Sequence, residues 1–198
     1  MSNKYYITTP IYYVNDVPHI GHAYTTLSCD IIARFKRIDG YEVFFLTGTD
    51  EHGQKVELAA KKKGVKPSEF VNKVSENFKN LLKCMNFSND LFIRTTEEKH
   101  IKSCQKIWNK LLKNGNIYLD KYSGWYAVRD EAFFSEAEIV DGKAPSGAPV
   151  EWVEEPSYFF NLSKWEDELL KLYEENHDFI LPNSRRNEVI SFVKGGLK

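Results

Sequence analysis

The sequence predicts an α/β fold with a parallel sheet, because two strand-like runs flank one helix-like run near its beginning. Residues 5–9 are aromatic or β-branched and stop at Pro10, which indicates a buried strand. Residues 21–38 have the helical period, since one face carries the apolar side chains Tyr24, Leu27, Ile31, Phe35 and Ile38. Residues 41–47 are again apolar and β-rich. Such a βαβ unit has parallel strands and a right-handed crossover.

The loops that follow the two strands predict a ligand site. The first loop contains TPIYYVN and the second contains TGTDEHG. Because the carboxyl ends of parallel strands lie at one edge of the sheet, where open α/β folds bind ligands, the two loops converge. Both are polar and carry aromatic or glycine residues, which indicates a site of the nucleotide-binding type.

Two histidines mark the start of the first predicted helix. His19 and His22 lie three residues apart, at or just before the helix N-terminus, and therefore on one side. Gly21 between them leaves the backbone open to a ligand, and Pro18 suits the first turn. Free N–H groups, the helix dipole and two imidazoles favour a phosphate group. Helix capping is the alternative role for both histidines.

The chain from residue 53 to residue 113 continues the same architecture. Helices are predicted over residues 53–63 and from Pro67 to about residue 85, followed by a third strand over residues 90–94. Thr95 and Glu98 form a predicted capping box for a helix through about residue 113. The result is a βαβαβ half-sheet, and the first predicted domain is 1–116.

From residue 117 the pattern changes to short β-like runs dense in aromatics, with glycine and proline in the middle. This predicts a small antiparallel insert, followed by helices over residues 163–176 and 187–194. The second predicted domain is therefore 117–198.

Composition adds weaker constraints. The 198 residues are 42% apolar and carry a net charge of −1, which is an ordinary globular composition that leaves a local RNA-binding patch possible. The three cysteines are scattered and odd in number, which favours reduced thiols and a cytoplasmic location over a disulfide framework. No run resembles a signal peptide or is long enough to cross a membrane, so no membrane partner is expected.

Several ordered blocks resemble one enzyme family. PHIGH after a strand is similar to the HIGH signature of class I aminoacyl-tRNA synthetases. TTPIYYVNDVPHIGHAYTT followed by FFLTGTDEHGQK resembles the methionyl-tRNA synthetases in particular, and RTTEEKH and RRNEV fit the same family. The resemblance implies the first half of a Rossmann-like parallel sheet, with the β-rich and helical connective-peptide domain inserted into it.

The resemblance also implies roles for individual residues. His19 and His22 would be catalytic and face the ATP phosphates, and Gly21 would make room for the adenosine. Asp50 would accept the methionine amino group, a charge-assisted hydrogen bond, with helix capping as the alternative. Pro10, Ile11 and Tyr13 would line the pocket for the methionine thioether, with a plain core role as the alternative. His52 matches a motif position without an implied role.

The implied chemistry is attack of the methionine carboxylate on ATP, with Mg²⁺ bound to the nucleotide, followed by transfer of the methionyl group to tRNA(Met). No KMSKS-like run occurs in these residues, so the chain is expected to be an N-terminal portion of a synthetase that is inactive alone. The alternatives are a portion of another HIGH-bearing class I synthetase and a non-catalytic half-fold that serves as a binding module.

Many methionyl-tRNA synthetases carry a zinc knuckle in the insert. This chain has Ala127 and Asp130 at the matching first pair, and Ala144 and Ser146 at the second. A structural zinc ion needs four N, S or O ligands, so no structural zinc is expected.

Overall fold

The computed structural model describes residues 3–197, and the chain divides into two compact units, Met1–Lys106 and Ile107–Lys198. The division falls inside a helix, ahead of the predicted boundary after residue 116. The two-domain assignment of 1–116 and 117–198 therefore stays a prediction. In the described part of the chain, no helix is both long enough and apolar enough to cross a membrane.

The first unit is built on a parallel sheet with helices. Its elements are β1 (Lys4–Thr8), β2 (Tyr12–Tyr13), α1 (Ile20–Ile38), β3 (Glu42–Asp50), α2 (Gln54–Lys62), α3 (Pro67–Cys84), β4 (Leu91–Arg94) and the first part of α4 (Glu98–Lys113), which ends in the second unit. The strand β3 pairs in parallel with β1, β2 and β4. Leu46 pairs with both Thr8 and Leu91, so β1 and β4 flank β3 on opposite sides. The predicted parallel α/β fold is confirmed.

One glycine permits the pairing of β3 with β4. A Cβ on Gly48 would lie 2.1 Å from the carbonyl oxygen of Ile93, which is an impossible contact with backbone. The strands can approach only because position 48 has no side chain. Residue patterns did not reveal this requirement.

Helix α1 begins as predicted, but its apolar stripe faces outward. Tyr24 is 72% exposed and Ile38 is 86% exposed, whereas the buried side chains of the helix are Thr26, Asp30 and Ala33. Small and hydrogen-bonded side chains thus form the inner face of α1. The expectation that the apolar face of a helix is the buried one is wrong for this helix. Within residues 3–197, no strand pairs with the outer edge of β1, so that edge is also open.

Two predicted details of the helix starts are wrong. Pro18 precedes the N-cap residue His19 and is therefore outside the first turn of α1. The capping box of Thr95 with Glu98 does not form, because α4 starts at Glu98 itself. The hydroxyl of Thr95 instead accepts a hydrogen bond from the backbone N–H of Glu51, at 2.9 Å.

The core of the first unit lies between β2 and the helices α2 and α3. Its buried residues include Tyr12, Val14, Val56, Ala60, Phe70, Val71, Val74 and Phe78. Tyr12 connects this core to α1, because its hydroxyl lies 2.9 Å from the hydroxyl of Thr26. Tyr12, a residue of the first predicted loop, is thus anchored in the core.

The second unit contains the predicted antiparallel sheet. Its strands are β5 (Ile117–Ala127), β6 (Ala132–Phe134) and β7 (Glu151–Phe160), and β5 is central. Two helices follow, α5 (Glu166–Glu175), which a 3₁₀ turn precedes, and α6 (Asn183–Lys194), which starts four residues before the predicted helix. Their contact buries Tyr173, Val193 and Leu197. Aromatic pairs such as Trp125 with Trp152 cross between paired strands.

Candidate functional site

His19 and His22 cap helix α1 reciprocally. The backbone N–H of Gly21 donates to Nδ1 of His19 at 3.1 Å, and the backbone N–H of His19 donates to Nδ1 of His22 at 3.1 Å. The capping alternative is therefore correct for one nitrogen of each ring. We call His19, Gly21 and His22 the histidine cap.

The cap leaves the other nitrogen of each imidazole available. A ring nitrogen that accepts a hydrogen bond carries no proton, so the proton of each neutral ring lies on Nε2. The two rings lie close together, with centroids 3.9 Å apart. Two Nε2–H donors beside a helix N-terminus form an arrangement suited to an anion such as phosphate.

The surroundings of His22 favour its neutral form. Its ring packs edge-on against Tyr12 and Phe78, at centroid distances of 4.8 and 5.1 Å. Burial, and secondly the neighbouring His19, lower the pKa of His22 below its ordinary value of 6.5. At neutral pH this imidazole is a hydrogen-bond donor without a charge.

Gly21 makes room for an imidazole. A Cβ at this position would lie 2.9 Å from Cε1 and 3.1 Å from Nδ1 of His19. A side chain there would displace the His19 ring and with it one half of the histidine cap. The structure thus gives Gly21 a local role in addition to the predicted contact with adenosine.

The predicted pocket residues after β1 are accessible. Ile11 and Tyr13 are 42% and 46% exposed, and Pro10 is exposed as well, so the core alternative is wrong for all three. Tyr12 between them is the core residue. Tyr13 pairs with Asp50 in the parallel register of β2 and β3, which places these two candidate residues on adjacent strands.

Asp50 is the last residue of β3, and its carboxylate is unengaged. It does not cap helix α2, because that helix starts at Gln54 and has Gly53 as its N-cap. The capping alternative is therefore wrong. Across residues 3–197, no hydrogen bond or ion pair reaches the Asp50 side chain, which is half-buried. Asp50 retains its full capacity to accept hydrogen bonds from a ligand.

The next residue, Glu51, differs, because all the hydrogen-bond acceptor positions of its carboxylate are occupied. Only 4% of Glu51 is exposed. Its carboxylate accepts hydrogen bonds from Thr49 Oγ1 at 2.7 Å, Arg94 Nε at 2.7 Å, Arg94 Nη2 at 2.8 Å and Thr96 Oγ1. Burial alone would raise the pKa of Glu51, but the hydrogen bonds from Arg94, Thr96 and Thr49 hold it below the ordinary value. We call Thr49, Glu51, Arg94 and Thr96 the carboxylate clamp.

Residue patterns missed the carboxylate clamp. Its members lie in the blocks TGTDEHG and RTTEEKH, in which the sequence predicted a binding role for Asp50 alone. The only local signal was two adjacent acids after a strand. His52, whose role the sequence left open, lies at the rim of this region, where its Nε2 is 3.4 Å from the carbonyl oxygen of Thr95.

The loops that would carry a zinc knuckle contain no set of zinc ligands. Ala127, Ala144 and Ala148 are buried together. Ser146 donates a short hydrogen bond to Asp130, and Arg129 donates to the carbonyl oxygen of Ser146 at 2.6 Å. Among the described residues, no three His, Cys, Asp or Glu side chains are grouped to hold a metal ion. These residues do not fit a structural zinc ion.

The structure brings the predicted site residues to one edge of the sheet. Tyr12 contacts His22, and its neighbour Tyr13 pairs with Asp50, so the two loops join through β2. A helix N-terminus, two N–H donors and a free carboxylate follow the strand ends. This arrangement defines the class of α/β proteins that bind ligands at the carboxyl edge of a parallel sheet.

Comparisons with known proteins narrow that class. A family model described as tRNA synthetases class I (M) matches residues 5–149. The methionine–tRNA ligase of Rickettsia conorii is 66% identical over 199 residues, which cover 100% of this chain and 39% of the relative. The chain therefore belongs to the family of class I tRNA synthetases (M), and it spans about two fifths of the length of that relative.

Two solved structures agree with this family. The methionyl-tRNA synthetase of Mycobacterium tuberculosis in complex with methionyl-adenylate has a TM-score of 0.90 at 51% identity, covering 100% of this chain and 40% of its own. The LeuRS of Agrobacterium radiobacter, in a ternary complex with tRNA and LeuAMS, has a TM-score of 0.77 at 26% identity, covering 96% of this chain and 25% of its own. The fold is thus that of the N-terminal, Rossmann-like half of a class I synthetase.

Proposed function

We propose that this chain supplies the ATP- and methionine-binding half of a methionine–tRNA ligase. One observation carries the proposal. A structure of methionyl-tRNA synthetase with methionyl-adenylate matches the whole chain at 51% identity and a TM-score of 0.90. The free Asp50 carboxylate and the donors of the histidine cap support it, because an aminoacyl-adenylate contains both an ammonium group and a phosphate.

The first reaction is the activation of methionine. The methionine carboxylate attacks the α-phosphorus of ATP, a new O–P bond forms, and pyrophosphate leaves with its Mg²⁺. His19 and His22 donate from Nε2–H to phosphate oxygens on which charge develops. Such pre-oriented donors are a large catalytic contribution. Because the rings are held by backbone N–H groups, they need no reorganisation when ATP binds.

The methionine lies across the ends of β2 and β3. Asp50 accepts the ammonium group, since its carboxylate has no competing partner in the described chain. Tyr13, Ile11 and Pro10 face the side chain, and the exposed Tyr13 ring gives the thioether an aromatic contact. The ammonium contact orients the carboxylate toward ATP, which lowers the entropic part of the barrier.

The second reaction transfers the methionyl group to the terminal adenosine of tRNA(Met). The protein that contains this chain acts in translation in the cytoplasm. These 198 residues contain no basic loop of the KMSKS type to hold the triphosphate, and the chain spans 39% of the length of the Rickettsia conorii relative.

A leucine-specific synthetase is the second candidate, because the Agrobacterium LeuRS shares the fold over 96% of this chain. Its identity of 26% is half that of the methionyl enzyme, and the loops TPIYYVN and TGTDEHG favour methionine.

The test is amino-acid-dependent exchange of pyrophosphate into ATP, catalysed by a full-length polypeptide that contains this chain. Methionine should support exchange and leucine should not. Faster exchange with leucine would select the second candidate. No exchange with any amino acid would indicate a half-fold that serves as a binding module. His19→Asn, which keeps an acceptor for the cap and loses the Nε2–H donor, should slow exchange by about 100-fold.

A further inference from the structure

Two adjacent acids at the end of β3 have opposite environments. Asp50 is half-buried without a partner in the described chain, while every acceptor position of the Glu51 carboxylate is filled. Two free carboxylates next to one another would repel and would raise the pKa of one of them. Arg94 cancels the charge of Glu51 through two hydrogen bonds, so one net negative charge remains for a ligand.

The carboxylate clamp also fixes the backbone on both sides of Asp50. Thr49 and Glu51 are its chain neighbours, and both are members of the clamp. The N–H of Thr95 donates to the carbonyl oxygen of Thr49 at 3.3 Å, and the N–H of Glu51 donates to the Thr95 hydroxyl at 2.9 Å. These bonds extend the ladder between β3 and β4 past its last pair, Thr49 with Arg94.

Arg94 ties this region to helix α3. Its Nη2 donates to Oδ1 of Asn72 at 2.7 Å in addition to Glu51. The end of β3, the end of β4 and helix α3 are therefore held by one guanidinium group. On the other side of Asp50, β2 contributes Tyr13. Asp50 is thus an unengaged carboxylate next to Glu51, whose carboxylate has all its acceptor positions occupied.

We propose that the carboxylate clamp positions Asp50 to receive the amino group of the amino acid substrate, an inference that rests on the proposed function. Glu51 and Arg94 do not touch the substrate and act through Asp50. A displacement of about 1 Å can cost two orders of magnitude in rate, so the position of Asp50 requires such support. The neutralised Glu51 also cannot compete with Asp50 for the ammonium group.

The experiment uses Thr96→Val and Glu51→Gln in the full-length enzyme, each alone and combined with Asp50→Ala. Thr96→Val removes one donor to Glu51 and keeps the shape of the side chain, so it tests the clamp if Glu51→Gln fails to fold. Each variant should raise the KM for methionine on the order of tenfold, while the KM for ATP changes by less than about twofold. In the Asp50→Ala background, the same substitutions should have no further effect on the methionine KM.

A matched control comes from a second buried carboxylate. Asp30 accepts hydrogen bonds from Ser88 and Arg34 and contacts neither Asp50 nor the carboxylate clamp. Asp30→Asn should lower the melting temperature and leave the methionine KM unchanged. This variant separates a loss of stability from a loss of positioning.

Three results would overturn the proposal. These are an unchanged methionine KM in Thr96→Val, equal increases for methionine and ATP, and the same increase whether residue 50 is Asp or Ala. A failure of the proposed function is recognised by a different result: the wild-type enzyme would activate an amino acid other than methionine, or none. If it activates another one, the same cycle is measured with that amino acid, and if it activates none, both inferences are wrong.

Discussion

The histidine cap and the carboxylate clamp lie at the ends of neighbouring strands and use their polar groups in opposite ways. In the cap, Nδ1 of each imidazole accepts a hydrogen bond from a backbone N–H group, and Nε2 stays available for a ligand. In the clamp, the Glu51 carboxylate has no acceptor position left for a ligand, since hydroxyl and guanidinium donors occupy both oxygens. Groups with spare hydrogen-bonding capacity are therefore candidates for binding, and saturated groups hold the frame.

The largest expected effect is the loss of adenylate formation in a polypeptide that contains only the histidine cap, Asp50 and the carboxylate clamp. A polypeptide of residues 1–198 contains the cap, Asp50 and the clamp, but no basic run of the KMSKS type. Electrostatic stabilisation of the transferred group is usually the largest catalytic contribution, so this polypeptide should not form methionyl-adenylate. Methionine-dependent pyrophosphate exchange measures this, and a rate near that of an intact synthetase would show that the described residues suffice.

A polypeptide of residues 1–198 should also self-associate. The open edge of β1 and the exposed apolar stripe of α1 lie on its surface. Light scattering at increasing concentration measures association, and a strictly monomeric chain at high concentration would contradict the expectation.

The clamp should matter more for stability than the cap. Glu51→Ala leaves Arg94, whose side chain is 17% exposed, without its carboxylate, which should lower the free energy of unfolding by about 3 kcal/mol. His22→Ala removes one capping acceptor and should cost about 1 kcal/mol. Urea unfolding of both variants measures the difference. Equal losses would mean that the two regions do not differ in structural role.

Asp50→Ala tests the free carboxylate that lies next to the clamp. Under the proposed function this variant loses one charged hydrogen bond to methionine, so methionine activation in the full-length enzyme should weaken by about 2 kcal/mol. The affinity for ATP should change much less, and the free energy of unfolding hardly at all. Unchanged kcat and KM for methionine would remove Asp50 from the site.

The two regions should also respond to acid in different pH ranges. The pKa of Glu51 is lowered below 4.5 and that of His22 below 6.5, so the unfolded chain binds more protons than the folded chain in both cases. Each contribution is complete above the unfolded pKa and is lost as the pH falls through the folded pKa. Unfolding measured from pH 7 to pH 3 should therefore show a first loss below 6.5 and a second below 4.5. His22→Gln should abolish only the first.

The smallest effect is expected from metal removal. The zinc-knuckle positions of the insert contain a buried alanine cluster and a hydrogen bond between Ser146 and Asp130. Treatment with a strong chelator should leave the melting temperature unchanged, and elemental analysis should find no zinc. Stoichiometric zinc would mean that ligands other than these residues hold it.

The sequence by itself determined the βαβαβ order of the first unit, its parallel pairing and the place of the two loops, although the short strand β2 within the first loop was not predicted. These features depend on the spacing of apolar side chains along the chain, which repeats every two residues in strands and every 3.6 residues in helices. They also depend on the right-handed crossover of βαβ units. The spacing of His19 and His22 likewise determined that they share one side of a helix start. The ordered blocks around HIGH identified the family, which the family model confirms.

Only the tertiary structure decided which of two adjacent acids is free. The resemblance implied a role for Asp50, but no residue pattern distinguishes the Asp50 carboxylate from that of Glu51. Their different environments come from Arg94 and Thr96, which are more than 40 residues away from Glu51 in the chain. The outward apolar stripe of α1 and the requirement for glycine at position 48 are also long-range effects, because each depends on what packs against it. Local patterns encode the path of the backbone, whereas the saturation of a buried charge is a property of groups that meet only after the chain has folded.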